Sequence, residues 1–392
     1  MEARNFRYLF ENTDDGIVLS GGIWDMRDNQ CTNFAYVCGM RNKKEVDNEG
    51  HGAMFRFERN NEPCHIFILA SFSIYYIKTL LRMLHRHQLR TVLLPYVSLQ
   101  HRLALLQWYQ GERKLEPGLA EFMEHPYTYL KNTGVENVYL LQGNGEVWRG
   151  EEHQFASGHH FELLDKGKLQ TINEMEGHYV PVVKAGYIIE NDWLFYFGHY
   201  EPDVSLYEQP GSIINSTIVM FQCPLHTGSD ETDSVMAGKV FSRQKNCVPY
   251  FDIEEKNCFY KCIYEEDYTV YRKHKKQYRE EGCFGTLTVG NVNMGRYLQE
   301  IFGRFYGVRK QIRAITISSC GNREYWNRQC LTMMLGEDLQ YWVCGLDRTT
   351  SPFVISDVAV ASPLNRIVTI SEEYGYCFSG YLVPFEEDNV VL

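Results

Sequence analysis

The sequence predicts a mixed α/β fold in which two sheets pack together with helices outside. Three observations carry this reading. The first is the stretch 66–96. An apolar strand runs from Ile66 to Ala70, and a short turn follows. A helix comes next, with Ile74, Ile77, Leu80, Leu81 and Leu84 at three- and four-residue steps. Arg-Thr-Val-Leu-Leu-Pro-Tyr (90–96) is then a second strand, stopped by Pro95. The second observation is order: in each half of the chain strands come first and helices follow. The third is composition. Hydrophobic residues make up 44%, and 27 Tyr and 22 Phe suit a sheet-rich core.

Apolar runs and alternation place strands at 15–19, 34–38, 53–57, 66–70, 91–94, 137–141, 186–190 and 193–198. The second half adds 216–222, 286–290, 314–318, 341–345, 366–370 and 376–383. Helical spacing fits 74–88, 99–109, 117–124, 294–305 and 323–335. Two regions interrupt this order and read as insertions. Residues 144–180 are rich in Gly, Glu and His and weakly periodic. Residues 224–282 open on an acidic loop, His226 to Ser234, and end in a charged stretch, Tyr271 to Glu281.

The totals exclude several classes. A net charge of −11 argues against a nucleic-acid binder that works by general charge attraction. No apolar run reaches the roughly 18 residues of a membrane span. The start, Met-Glu-Ala-Arg-Asn-Phe-Arg, lacks the apolar core of a signal peptide. The 12 cysteines form no Cys-x-x-Cys pair, so a reducing, cytoplasmic setting with free, buried thiols is expected.

The strand–turn–helix at 66–81 resembles the metallo-β-lactamase superfamily, where this turn carries a His-x-His-x-Asp-His motif that grips two metals. The four ligand positions fall on Ser71, Ser73, Tyr75 and Tyr76. Asn215 to Met220 and Trp193 to Pro202 are similar to strands of the competence (DNA-uptake) hydrolase branch. Thr286-Leu-Thr-Val-Gly-Asn291 resembles the strand end that carries the bridging aspartate, which falls on Asn291. Ile315-Thr-Ile-Ser-Ser-Cys-Gly321 resembles the segment with a histidine pair, which falls on Ser319 and Cys320. Ser351-Pro352 is similar to the final His-Pro. The resemblance implies a four-layered αββα sandwich: one domain over 1–392 with the two insertions. Every departure from it strikes a metal-ligand position.

Zinc hydrolysis needs imidazole or carboxylate ligands around an open position for water. Ser and neutral Tyr are poor ligands. The expectation is therefore a pseudo-enzyme with vestigial positions Ser71, Ser73, Tyr75, Tyr76, Asn291, Ser319 and Cys320, with no catalytic residue, no metal and no cofactor. Tyr75 and Tyr76 are expected to fill the vacated place beside Asn291. A covalent mechanism through Ser71, Ser73, Ser319 or Cys320 lacks a histidine base in any matched motif. His153, His159, His160, His178 and His199 would be the material of a relocated metal site; the reading preferred is incidental histidines in a solvated loop. His85 and His87 suit the end of a helix.

Partner binding is expected in the 224–282 insertion. Its aromatics Tyr250, Phe251, Phe259 and Tyr260 stand beside the basic Arg272, Lys273, Lys275 and Lys276, an interface-like mixture. Nucleic acid enters only through 271–279. The function expected is a protein-binding or ligand-sensing accessory subunit, with bacterial (antiviral) defence or nucleic-acid processing assemblies as the setting. The alternative is a metal-dependent nuclease or cyclic-nucleotide phosphodiesterase with a non-standard site.

Overall fold

A computed structural model describes residues 4–13, 16–25, 30–39, 63–86, 89–110, 118–145, 156–201, 216–224, 232–242, 285–305, 312–334, 340–345, 350–362, 365–370 and 374–384. Within them the chain is a mixed α/β structure with two large sheets. The expected strand at 53–57 and the aromatic and basic residues between 250 and 276 lie outside the described residues.

The first sheet has nine strands. In chain order they are β1 (Arg4–Thr13), β2 (Gly16–Asp25), β3 (Gln30–Gly39), β4 (Cys64–Leu69), β5 (Leu89–Pro95), β6 (Asn137–Asn144), β8 (Val182–Ala185), β12 (Thr232–Ser242) and β17 (Tyr374–Pro384). Across the sheet they run β12-β17-β1-β2-β3-β4-β5-β6-β8. The pairs from β12 to β3 are antiparallel; those from β3 to β8 are parallel.

The second sheet has eight strands. They are β7 (Gly158–His160), β9 (Tyr187–Glu190), β10 (Trp193–Tyr200), β11 (Thr217–Pro224), β13 (Gly285–Thr288), β14 (Ile312–Thr316), β15 (Gln340–Gly345) and β16 (Asn365–Ile370), in the order β16-β15-β14-β13-β11-β10-β9-β7. Here too one half is parallel, β13 to β16, and the other antiparallel.

Side chains alternate across each strand, so a strand buried on both faces reads as a continuous apolar run. β4 does this: Ile66 and Ile68 join one buried cluster, Phe67 and Leu69 another. The cluster holding Ile66 and Ile68 draws on both sheets. Phe6, Tyr8 and Phe34 of the first sheet meet Trp193 and Phe195 of the second, with Tyr8–Trp193 and Phe34–Phe195 rings edge-on at 6.2 and 5.3 Å.

The cluster holding Phe67 and Leu69 packs the first sheet against α1 (Ile74–Arg86), α2 (Leu99–Gln110), α3 (Leu119–Glu124), α4 (Pro126–Asn132) and α5 (Lys166–Glu176). A third cluster joins Val219, Phe221, Ile315 and Trp342 of the second sheet to Leu298, Ile301 and Phe305 of α6 (Met294–Phe305), Leu331 of α7 (Gln329–Met334) and Val354 and Val358 of α8 (Pro352–Ala361). No helix among the described residues is long and apolar enough to cross a membrane.

The segment 144–180 contributes β7 to the second sheet, and a buried ion pair ties its helix α5 to α2. Glu176 ends α5, and its carboxylate takes Arg102 of α2 at 2.7 and 3.2 Å. Glu176 also accepts from the Tyr96 hydroxyl at 2.9 Å and from the Leu99 N–H at the start of α2 at 3.0 Å. Arg102 spends its remaining N–H groups on the carbonyls of Val97, Met123 and Glu124. The other segment read as an insertion holds β12, which pairs with β17 along its full length.

Candidate functional site

Five chain segments converge where strands of the two sheets end. Ser71 follows the carboxyl end of β4, and Cys38 lies near that of β3. Thr217 opens β11. Asn291 follows β13, and Ser319 follows β14. Backbone bonds lock the sheets together here. Ser71 and Thr217 form an antiparallel bridge, and the Ile218 N–H donates to the Ala70 carbonyl at 2.8 Å. Ser71, Asn291 and Ser319 are all buried, the last two at 3 and 2% exposure.

Cys38 is the hub. Its sulfur lies 3.8 Å from Ser71 Oγ and 3.7 Å from Thr217 Oγ1. With Ile17, Tyr36, Thr288, Gly290, Asn291, Thr316 and Ser319 it encloses a cavity of about 10 Å3, at the lower limit for one water. Burial pushes the Cys38 thiol up to about 11, despite opposing hydrogen bonds with Thr217 and Ser71, so it is protonated at neutral pH. Burial likewise raises the Tyr36 phenol well above its ordinary value; its hydroxyl donates to the Ile218 carbonyl at 2.6 Å.

The backbone is specialised to fit this packing. Gly290 has φ +56°, and a Cβ there would meet Tyr36 Oη at 2.6 Å, Thr217 Oγ1 at 2.8 Å and Cys38 Sγ at 2.9 Å. Ser319 is a non-glycine residue at φ 51°, held by a bond from its N–H to the Gly290 carbonyl at 3.4 Å. Ser318 Oγ donates to the Val292 carbonyl and lies 3.3 Å from Ser319 Oγ.

The donors of this cluster are hydroxyls, one amide and one protonated thiol. No imidazole or carboxylate lines the cavity. Such a set, around so little space, does not fit a catalytic zinc pair with its water. Among the described residues no group of three His, Cys, Asp or Glu gathers closely enough to hold a metal.

Ser71, Asn291 and Ser319 therefore come together, whereas Ser73 and Tyr76 go elsewhere. Ser73 opens α1, its carbonyl accepting from Ile77 N–H at 2.9 Å. The expectation that Tyr76 fills the place beside Asn291 is corrected. Its ring is buried with Phe72, Ile77 and Leu80 in the cluster between the helices and the first sheet. Helical periodicity turns it there, because Tyr76 and Leu80 are four residues apart on one face. Tyr36, a strand residue, takes the position instead. The side chains of Tyr75 and Cys320 lie outside the described residues, as does all of His153 and His87. Tyr36 and Cys38 escaped the sequence reading because strand patterning assigns them to the core and no motif marks them; Thr217 fell in the matched strand 215–220 but was given no role.

The described histidines of this tract, His159, His160, His178 and His199, do not converge. His159 contacts Tyr139 and Glu190. His160 stacks on Tyr187 at 4.6 Å. His178 meets the Glu176 carbonyl and the His125 ring. His199 is fully buried, and burial lowers it to about 3. Its Nδ1 accepts from Gly143 N–H at 3.0 Å, which places the neutral ring's proton on Nε2, 3.2 Å from Ser216 Oγ. His199 thus donates to Ser216 and cannot act as its base in this arrangement.

No protein-family model matches the chain, and no curated protein sequence matches it.

Proposed function

We propose that this chain is a metallo-β-lactamase-like αββα sandwich whose hydrolytic centre has been replaced by a closed polar seam. It acts as a cytoplasmic accessory subunit that binds a protein partner or senses a ligand. The observation that carries the reading is the meeting of Ser71, Asn291 and Ser319 around Cys38 at the junction of the two sheets. Those residues stand at the positions where the resembled family keeps metal ligands, and their chemistry is that of packing and hydrogen bonding. Two sheets with a shared aromatic core, and helices on the far side of each, support the layer order.

The test is elemental analysis of protein purified without chelator, paired with assays of phosphodiester and cyclic-nucleotide hydrolysis. Far less than one zinc or manganese per chain and no turnover are expected. Near-stoichiometric metal that disappears in Cys38→Ala or Asn291→Ala would sink the reading in favour of an unusual hydrolase.

A further inference from the structure

A second constellation lies at the opposite end of the parallel strands. Tyr139 is the third residue of β6, next to β5 in the first sheet. His159 and Glu190 come from β7 and β9, paired at the edge of the second sheet. Tyr139 Oη is 2.9 Å from His159 Nδ1, and His159 Nε2 is 3.3 Å from Glu190 Oε1. Arg90 Nη1 lies 3.8 Å from the same carboxylate oxygen; burial opposes the ionised form of Glu190, but the hydrogen bond with His159 and the charge of Arg90 outweigh it and hold the carboxyl below its ordinary value.

With the His159 ring neutral, the carboxylate sets the direction of this chain of bonds. An ionised carboxylate only accepts, so Nε2 of His159 carries the proton. The Nδ1 lone pair then faces the phenol and accepts from it. His199 and Ser216 are wired the opposite way, because a backbone N–H occupies Nδ1 there. Of these two histidine–hydroxyl pairs, only Tyr139–His159 has the order nucleophile, base, orienting acid that hydroxyl activation requires. Tyr139 is partly exposed, stacked on Phe161 at 4.2 Å. Burial raises its phenol, so it remains protonated until a base removes the proton.

We propose that Tyr139 is a nucleophile activated by His159 and oriented through Glu190, directed at tetrahedral phosphorus(V) or sulfur(VI) centres that carry a good leaving group. Such centres are hard electrophiles that suit a phenolic oxygen. In the reaction with an aryl sulfonyl fluoride, the Oη–S bond forms as the S–F bond breaks. Fluoride leaves, the phenolic proton passes to His159 Nδ1, and the Glu190 carboxylate stabilises the resulting imidazolium. This centre is separate from the polar seam and does not rest on the reading given for it.

The experiment treats the full chain with an aryl sulfonyl fluoride and follows each tyrosine by peptide mass spectrometry. Tyr179, 61% exposed, is the internal reference. Tyr139 is expected to label about 100-fold faster than Tyr179, the usual general-base contribution. His159→Phe should bring Tyr139 down to the reference rate and leave Tyr179 unchanged, and Glu190→Gln should slow Tyr139 alone. Labelling of Tyr139 no faster than Tyr179 in the unaltered protein overturns the proposal without any variant. So does fast labelling that survives His159→Phe in protein with an unchanged melting temperature.

Discussion

Replacing Glu176 by Gln tests whether the α5 segment is integral to the domain. The side chains of Arg102 and Glu176 are 2 and 1% exposed. The substitution keeps size and shape, and its remaining oxygen can still accept from Tyr96 or from Leu99 N–H. It removes the charge that compensates Arg102, and it turns an amide NH2 toward a guanidinium that can only donate. Breaking a buried pair on one side costs about 3–5 kcal/mol, because the surviving charge stays desolvated. Against a total stability of about 5–15 kcal/mol that is a large fraction. Urea unfolding followed by circular dichroism should show a lower midpoint with an unchanged slope. The double variant Arg102→Met with Glu176→Leu should recover most of the loss, since an apolar pair replaces a buried ion pair at little cost. A loss under about 1 kcal/mol in Glu176→Gln, the size of an exposed pair, would refute the reasoning.

Stability should also fall with acid through His199. Its folded value of about 3 lies below the ordinary 6.5, so the fold favours the neutral ring. That contribution is complete above pH 6.5 and is lost as pH falls from there toward 3; at pH 5 the loss is about 2 kcal/mol. His199→Gln keeps an acceptor for Gly143 N–H without titrating, and an identical pH slope in that variant would remove His199 as the cause. Gly290→Ala should destabilise by about 2 kcal/mol, from crowding of Tyr36, Thr217 and Cys38 and from its positive φ; a melting temperature equal to that of the unaltered chain would contradict the packing described. Replacing 243–282 with a Gly/Ser linker, sparing β12, should leave the fold intact and reduce partner capture; full affinity in the trimmed protein would locate the interface elsewhere.

Strong periodicity was legible. Helix α6 begins and ends where Met294, Leu298, Ile301 and Phe305 place it, and β10 and β15 follow their apolar runs. Elements whose buried face carries charge were not. β1 alternates Phe6, Tyr8 and Phe10 with Arg7 and Glu11, both buried, so its polarity concealed a core strand. α5 buries Ile172 together with Glu176, and only a partner 74 residues away explains the glutamate. α8 (PFVISDVAVA) is apolar nearly all round and showed no helical stripe. The tract 323–335, read as one helix, is a short 3-10 turn at Arg323–Tyr325 followed by α7. At the candidate site, the family resemblance singled out Ser71, Asn291 and Ser319, and the fold gathers the three near Cys38. Cys38 and Tyr36 were not singled out, because what joins them to the cluster is pairing between sheets.

The position of β17 sets a schedule for the growing chain. It is bonded to β1 on one side, with Arg4 opposite Leu382, and to β12 on the other, with Thr232 opposite Pro384. At a synthesis rate of about 5–20 residues per second, the free edge of β1 stays open for roughly 20–70 s before its partner emerges. β12 meanwhile has no described neighbour to hold it in the sheet. A ribosome that stalls late thus leaves two long strands with unmatched backbone groups, which are templates for pairing between chains. Among the described strands of the first sheet β17 is the last to arrive, and whatever shields β1 and β12 during that interval governs the yield of folded protein.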